Sequence, residues 1–539
     1  MTRTAWLLGP VALAAAAAVT LSTTSAPPPP GDLPFSEPDL VNPLRGQYEN
    51  LLTGPFPQTS ELNRDLPAWP GVADVSVRIP WSFLQPKDPR TVPADAADTE
   101  KYSFDQLDTY IADAAKQGKR VGFRVTAFNS CCDATKPGDV VTTAPAWLRT
   151  LPGASTTAVK DGVSYVIPRW NDAAYLDVFT GLVEALGRRY DRDERVAVFE
   201  FSGYGDFSEN HMSFARDSLG APGPAPERSR AELGYFSQYR DQTLTAASAN
   251  RLVGTTLRAF RSTQIVSPMG NPEIARLLLR DHPDLAGLRR PVGIRADSLG
   301  GMEIFPTWAQ NRWSQYVIDR DPLIGVLAQR YRTAPVLSEW SPQLLTGGTD
   351  LEYYRRGAND VVRQHVSSTS STGFPAQSRP ERMTAEQYEL WERANKYAGY
   401  RYSAATLGPR TTDDGRRVLD VRWTNAGSAP THDRWAVTYD LLDTLGRVRA
   451  SIPGAVDLAG LLTTEPHAGA PAVPPAAEVT DTVELPYLRP GTYSLRVRVQ
   501  WDERKPDATH TVDLPPMALA QTGRDTGGGY PAGTVELGR

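Results

Sequence analysis

Between residues 42 and 398, short apolar runs of strand length alternate with longer segments whose apolar residues recur every three or four positions. That alternation is the pattern of an α/β domain with parallel strands. Eight strands are read from it: GQYEN (46–50), VSVRIPW (75–81), RVGFRVT (120–126), VAVFEFSG (196–203), LVGTTLR (252–258), VGIRADS (292–298), APVLSEW (334–340) and HVSSTS (365–370). Helix starts are marked by polar caps. Ser103 and Gln106 form a capping-box pattern before Leu107 and Ile111, Asn171 and Asp172 precede Tyr175, Phe179 and Leu182, and Thr384 and Gln387 precede Tyr388 and Trp391, with Gly399 as a stop. The expected fold over 42–398 is therefore a (β/α)8 TIM barrel.

Beyond Tyr400 the period changes to two. In TYSLRVRVQW, Tyr493, Leu495, Val497 and Val499 alternate with polar residues, as in a half-buried antiparallel strand. The runs RVLDVRWTN, RWAVTYDLLD and EVTDTVELP read alike, which predicts a β-sandwich over 399–520, followed by a flexible Gly-rich tail over 521–539.

Composition narrows the class. The 539 residues are 40% hydrophobic and 22% charged, ordinary for a globular protein of two or three domains. A formal net charge of −5 supplies no basic field for a polyanion, so nucleic acid is not expected as a partner. Residues 1–26 place Arg3 before an apolar run and a small polar stretch, the layout of a secretory signal peptide, and 27–41 form a Pro-rich linker. Export predicts a secreted or cell-surface protein. No later segment is apolar enough to serve as a stable membrane span. The two cysteines, Cys131 and Cys132, are adjacent, which leaves a pair of thiols or a vicinal disulfide, the latter in keeping with export.

Candidate chemistry lies at the strand ends. In the eight-strand count Glu209 (GYGDFSEN) follows strand four and Glu339 (APVLSEW) closes strand seven. Loops after barrel strands converge on one rim, and glycoside hydrolysis needs two carboxyl groups facing each other across a sugar. Glu200 is a rival on the face of Val196 and Val198, where it would point into the barrel and meet an arginine. Arginines at strand positions, Arg78, Arg124, Arg258 and Arg295, are candidates to pair with the carboxylates or with substrate. Asp206, Asn210 and Asp297 are candidate sugar-binding groups, and Trp81, Tyr204, Phe207 and Trp340 are candidate stacking surfaces. No G-x-S-x-G elbow, phosphate loop or dinucleotide fingerprint is present, and no cofactor or metal is implied.

This arrangement resembles the large clan of retaining glycoside hydrolases whose acid/base and nucleophile glutamates follow strands four and seven of a (β/α)8 barrel. The resemblance implies that Glu209 is the acid/base and Glu339 the nucleophile, acting on a carbohydrate substrate. The segments NPLRGQYEN, VIPRWND and GYGDFSE also resemble an uncharacterised bacterial family, a barrel with a C-terminal β-domain of unknown function. One departure stands out: the clan's acid/base usually follows an Asn, whereas Ser208 precedes Glu209 here and Asn210 follows it. The surroundings of Glu209 predict a carboxyl raised by desolvation and ready to donate a proton. The competing expectation is a non-catalytic carbohydrate-binding or cell-envelope protein on an inactive barrel.

Overall fold

The structure is a computed structural model that describes residues 39–51, 72–129, 135–211, 244–300, 322–340, 348–374 and 383–538, apart from 463, 468 and 470. The signal segment, most of the Pro-rich linker, Cys131 and Cys132 lie outside the described residues. Eight parallel strands close into a barrel in sequential order: β1 (Gly46–Leu51), β2 (Val72–Pro80), β3 (Arg120–Thr126), β4 (Val196–Glu200), β5 (Gln264–Pro268), β6 (Gly293–Leu299), β7 (Val336–Trp340) and β8 (Ser368–Ser370). β1 and β8 pair through Gly46 with Ser368 and Tyr48 with Ser370, which completes the closure.

The two-residue period of each strand decides what enters the barrel. On β2, Val75, Val77 and Ile79 join the core between barrel and helices, and so do Val121, Phe123 and Val125 on β3. Arg78 and Arg124 alternate with them and are neighbours in register across the β2–β3 ladder. On β6, Ile294 and Ala296 face the helices, which turns Arg295 and Asp297 inward. On β7, Val336 and Trp340 face outward while Leu337 and Glu339 face in. Leu44, Ala197, Val198 and Val266 form a separate apolar cluster, packed by Leu337. The charged side chains of Arg78, Arg124, Glu200, Arg295 and Glu339 form a second group, joined to one another by ion pairs.

The fifth strand differs from the expectation. LVGTTLR is part of a helix, Ala246–Ala259, capped by Thr245, whose side chain accepts from Ser248 N–H. Ala249, Leu252, Val253, Thr256 and Leu257 are its buried face, a three-to-four period that outweighs the apolar content of the run. The strand itself is the shorter QIVSP that follows. The helix expected after Ser103 starts later, at Asp105–Lys116, without a side-chain cap. By contrast Asp172 caps Ala173–Tyr190 through Ala174 N–H, and Thr384 with Gln387 forms a complete capping box on Ala385–Tyr397. Gly399 ends that segment at φ +76°, a backbone conformation that favours glycine.

The C-terminal region is a sandwich of two antiparallel sheets. One contains β9 (Tyr402–Thr411), β10 (Arg417–Asn425) and β13 (Ala477–Glu484); the other contains β11 (Trp435–Leu442), β12 (Val448–Pro453), β14 (Gly491–Trp501) and β15 (Tyr530–Leu537). Their inner faces share one core, with Tyr402, Trp423, Tyr439, Leu495 and Val497 fully buried. The expectation of a flexible tail over 521–539 is corrected: β15 pairs with β14 from Gly491 with Leu537 to Val497 with Tyr530, and Val535 and Leu537 enter the core. Glycines in that stretch suggested mobility, but the alternating run YPAGTVEL carries a strand period that they obscure.

The sandwich seals the N-terminal end of the barrel. Asp433 accepts from Arg120 Nη2 at 2.8 Å, Arg290 Nη1 at 2.9 Å and Trp501 Nε1 at 3.0 Å. Lys505 Nζ donates to the carbonyls of Asp193 and Val196 at 2.7 and 3.0 Å and to Thr263 Oγ1 at 2.7 Å. These contacts tie the starts of β3, β4, β5 and β6 to one neighbouring domain. Among the described residues no helix is long and apolar enough to cross a membrane.

Candidate active site

Four acids and three arginines meet at the opposite, C-terminal end. Glu200, at the end of β4, accepts from Arg124 Nη1 at 2.7 Å and Arg295 Nη1 at 3.0 Å and is buried. Above it, Glu339 Oε2 accepts from both Arg78 and Arg295. Glu209 Oε1 accepts from Arg124 at 3.1 Å and lies 3.4 Å from Arg78, while its Oε2 is 3.3 Å from His211 Nε2. Asp297 is bonded through Oδ1 to Arg295 at 3.0 Å. One oxygen each from Glu209, Asp297 and Glu339 lies within 4.8 Å of the others. Arg78 bridges Glu209 and Glu339, and Arg295 bridges Asp297 and Glu339.

The three arrive by two routes. Glu339 and Asp297 project inward from strands by parity. Glu209 comes from the β4 loop, whose turn Asp206–Ser208 is held by Phe207 N–H on Phe128 C=O at 2.9 Å and by Ser208 Oγ on Val125 C=O at 2.6 Å. Phe207, Ser208 and Asn210 all have positive φ, between 53° and 65°. Such backbone costs about 1–3 kcal/mol per residue and persists only when the surroundings impose it. Gly205, at φ +81°, is required here: a side chain would meet the His211 carbonyl.

The electrostatics reverse the expectation for Glu209. Burial does push its carboxyl up, but the His211 hydrogen bond and the Arg124 and Arg78 charges outweigh burial and hold it well below the usual carboxylate range. Asp297 moves the other way. Burial raises it, and Glu209 and Glu200 add to that rise against the pull of Arg295 and Arg124. Burial and the adjacent Arg78 bring the Arg124 guanidinium down to about 10, which leaves it charged at neutral pH.

Of the other candidate residues, Arg78, Arg124 and Asp297 join the cluster, and Arg258 does not. It sits on the helix Ala246–Ala259, half exposed, and pairs with Asp284 at 2.9 Å. Asp206 is buried within the turn that carries Glu209. Asn210 ties that loop to the end of β5, donating from Nδ2 to Pro268 C=O at 3.0 Å. Three expected stacking surfaces are core residues. Trp81 packs edge-on against Trp147, Tyr175 and Phe179, Tyr204 packs against Trp170, and Trp340 packs on Tyr353 and Tyr354. Trp340 follows Glu339 directly, so strand alternation sends it to the opposite face. Phe207 alone of the four is at the cluster, with the Arg78 guanidinium 5.8 Å from its ring centre. His211 is a site residue that the sequence does not single out; its place beside Glu209 follows from the fold of the loop and has no signal in the spacing.

No family model matches the sequence, and no curated protein matches it. Solved structures give remote likenesses. The chain is similar to endo-glycoceramidase II from Rhodococcus sp. at 13% identity and a TM-score of 0.38, over 84% of this chain and 100% of that one. It is similar to the catalytic domain of beta-amylase from Paenibacillus polymyxa at 10% identity and a TM-score of 0.35, over 66% and 99%. For beta-1,4-D-mannanase from Cryptopygus antarcticus the values are 13% and 0.30, over 60% and 79%. At these scores the likenesses assign no activity to this chain, and the functional reading rests on its own residues.

Proposed function

We propose that this protein is an exported glycoside hydrolase that works with retention of configuration, using Glu339 as nucleophile and Glu209 as acid/base on an extracellular glycan or oligosaccharide. The observation that carries the reading is the approach of the two glutamates at the C-terminal end of the barrel, with facing oxygens no more than 4.8 Å apart. Retaining enzymes hold their carboxyl groups about 5–5.5 Å apart, whereas inverting enzymes leave roughly 6.5–9.5 Å for a water. Arg78 and Arg295 both donate to Glu339 Oε2, a pairing that favours the carboxylate a nucleophile needs. In the first step Glu339 bonds to the anomeric carbon as the glycosidic bond breaks and Glu209 protonates the leaving oxygen. In the second, Glu209 takes a proton from water, whose oxygen displaces Glu339.

A screen of the secreted protein against aryl glycosides and cell-wall polysaccharides tests the reading. Glu209→Gln and Glu339→Gln should each lower turnover by orders of magnitude with the fold intact. Activated aryl glycosides need little protonation, so they should restore the first step in Glu209→Gln and not in Glu339→Gln. Wild-type turnover in both variants contradicts the pair, and binding of glycans without turnover by the wild type favours a carbohydrate-binding protein instead.

A further inference from the structure

The proposed reaction leaves a proton unaccounted for. Glu209 has to donate one, yet both of its oxygens are engaged: Oε1 by the Arg124 and Arg78 guanidinium groups, Oε2 by the His211 ring. Glu339 is held through one oxygen, Oε2, by both Arg78 and Arg295. Three carboxylates within 4.8 Å of one another repel when all are ionised, and a shared site of this kind settles by keeping a proton on one of them. The choice falls on the carboxyl with the fewest cations. Among the described residues Asp297 is bonded by Arg295 alone, and Arg295 divides its donors among Asp297, Glu200 and Glu339.

We propose that Asp297 holds the proton of the resting site and passes it to Glu209, a positioning residue that acts through the acid/base. The inference rests on the reading of Glu209 and Glu339 given above. Asp297 faces Arg295 on its own strand, Tyr48 on β1, Glu339 on β7, Glu200 on β4, Glu209 from the β4 loop and Arg124 on β3. The acids among these neighbours, Glu209 and Glu200, raise its carboxyl in addition to burial. When a sugar enters and weakens the contacts of Glu209 with its cations, the proton leaves Asp297 and joins Glu209, across a gap that a side-chain rotation closes or one water bridges. Asp297 becomes the carboxylate and Glu209 the acid. Glu209 then protonates the leaving oxygen, recovers a proton from water in the second step, and returns it to Asp297.

Asp297→Asn and Asp297→Glu test this through the pH dependence of kcat/KM. For a glycoside with a poor leaving group, Asp297→Asn should lose about tenfold or more, and the alkaline limb of its profile should move to lower pH. With a dinitrophenyl glycoside the loss should stay under about threefold, since little protonation is needed. Asp297→Glu should keep the alkaline limb where the wild type has it. Equal losses on both substrates, or an unmoved limb in Asp297→Asn, overturn the proposal. A second measurement needs no turnover: infrared titration of the carboxyl band in wild type minus Asp297→Asn. A carboxyl that titrates above the ordinary aspartate range and is missing from the variant is the expected result; its absence refutes the role of Asp297 even if the glutamate pair stands. If the wild type hydrolyses no glycoside, the functional reading fails, and the infrared titration still decides where the proton resides.

Discussion

At the N-terminal end of the barrel, Asp433 meets Arg120, Arg290 and Trp501, while at the C-terminal end Glu200, Glu209, Asp297 and Glu339 share Arg78, Arg124 and Arg295. Both groups are ionic and largely enclosed, but they are balanced differently. Asp433 is only 3% exposed and sits between two guanidinium groups, one of which, Arg290, is also paired with Glu503 at 2.9 Å. Burial opposes its ionisation, and Arg120 and Arg290 outweigh burial and hold its carboxyl well below the usual range. At the other end the acids outnumber the arginines, the side chains of Glu209, Asp297 and Glu339 are partly open, and Glu209 and Asp297 are displaced in opposite directions. Pairs of carboxyls pushed apart in this way are what acid–base chemistry uses, whereas a matched, closed network only holds elements together.

The largest stability effect should therefore come from the floor. Asp433→Ala leaves Arg120 and Arg290 buried with reduced pairing, and breaking such a network costs about 3–5 kcal/mol. Denaturant unfolding should show that loss, while glycoside turnover per folded molecule stays at the wild-type level. Glu339→Gln should show the converse, since Arg78 keeps Glu209 and Arg295 keeps Glu200 and Asp297. Comparable destabilisation by both variants would erase the distinction between the two ends.

A smaller effect follows from pH. The folded Asp433 carboxyl lies below its unfolded value of ~3.9, so its contribution is fully present above that value and is lost as pH falls through it toward the folded one. Acid unfolding of the wild type should steepen below about pH 4, and Asp433→Asn should lack that part of the slope. An unchanged slope would mean that the floor network is not what acid breaks.

The smallest effect is expected at Arg258. Its pair with Asp284 is half exposed, and Arg258→Ala should change stability by roughly 0–1 kcal/mol and leave turnover alone. A large loss of activity there would return it to the list of substrate-binding groups.

These contrasts were only partly visible in the sequence. Glu339 was legible from its place at the end of strand seven, and alternation along β7 excludes Trp340, whose neighbouring position sends it outward. LVGTTLR has the apolar content of a strand, but the three-to-four spacing of Ala249, Leu252, Val253, Thr256 and Leu257 is that of the helix it forms. Glu200 facing the arginines followed from parity along VAVFE. The ionisation of Glu209 did not follow, because it depends on Arg124 and His211, which only the folded loop and the β3–β4 pairing bring to it. Asp433 gave no local signal either; its partners lie 313 and 143 residues away in the chain.

The central claim is that Glu339 bonds to the sugar, and a 2-deoxy-2-fluoro glycoside tests it most directly because it slows the second step and leaves the intermediate in place. The wild type is incubated with activated fluoro-glycosides of the sugars it hydrolyses, digested, and analysed by peptide mass. One added glycosyl group is expected on the peptide that contains APVLSEW, assigned to Glu339, and none in Glu339→Gln. Inactivation with the label on Asp297, Glu200 or another residue, or turnover with no label at all, would contradict it.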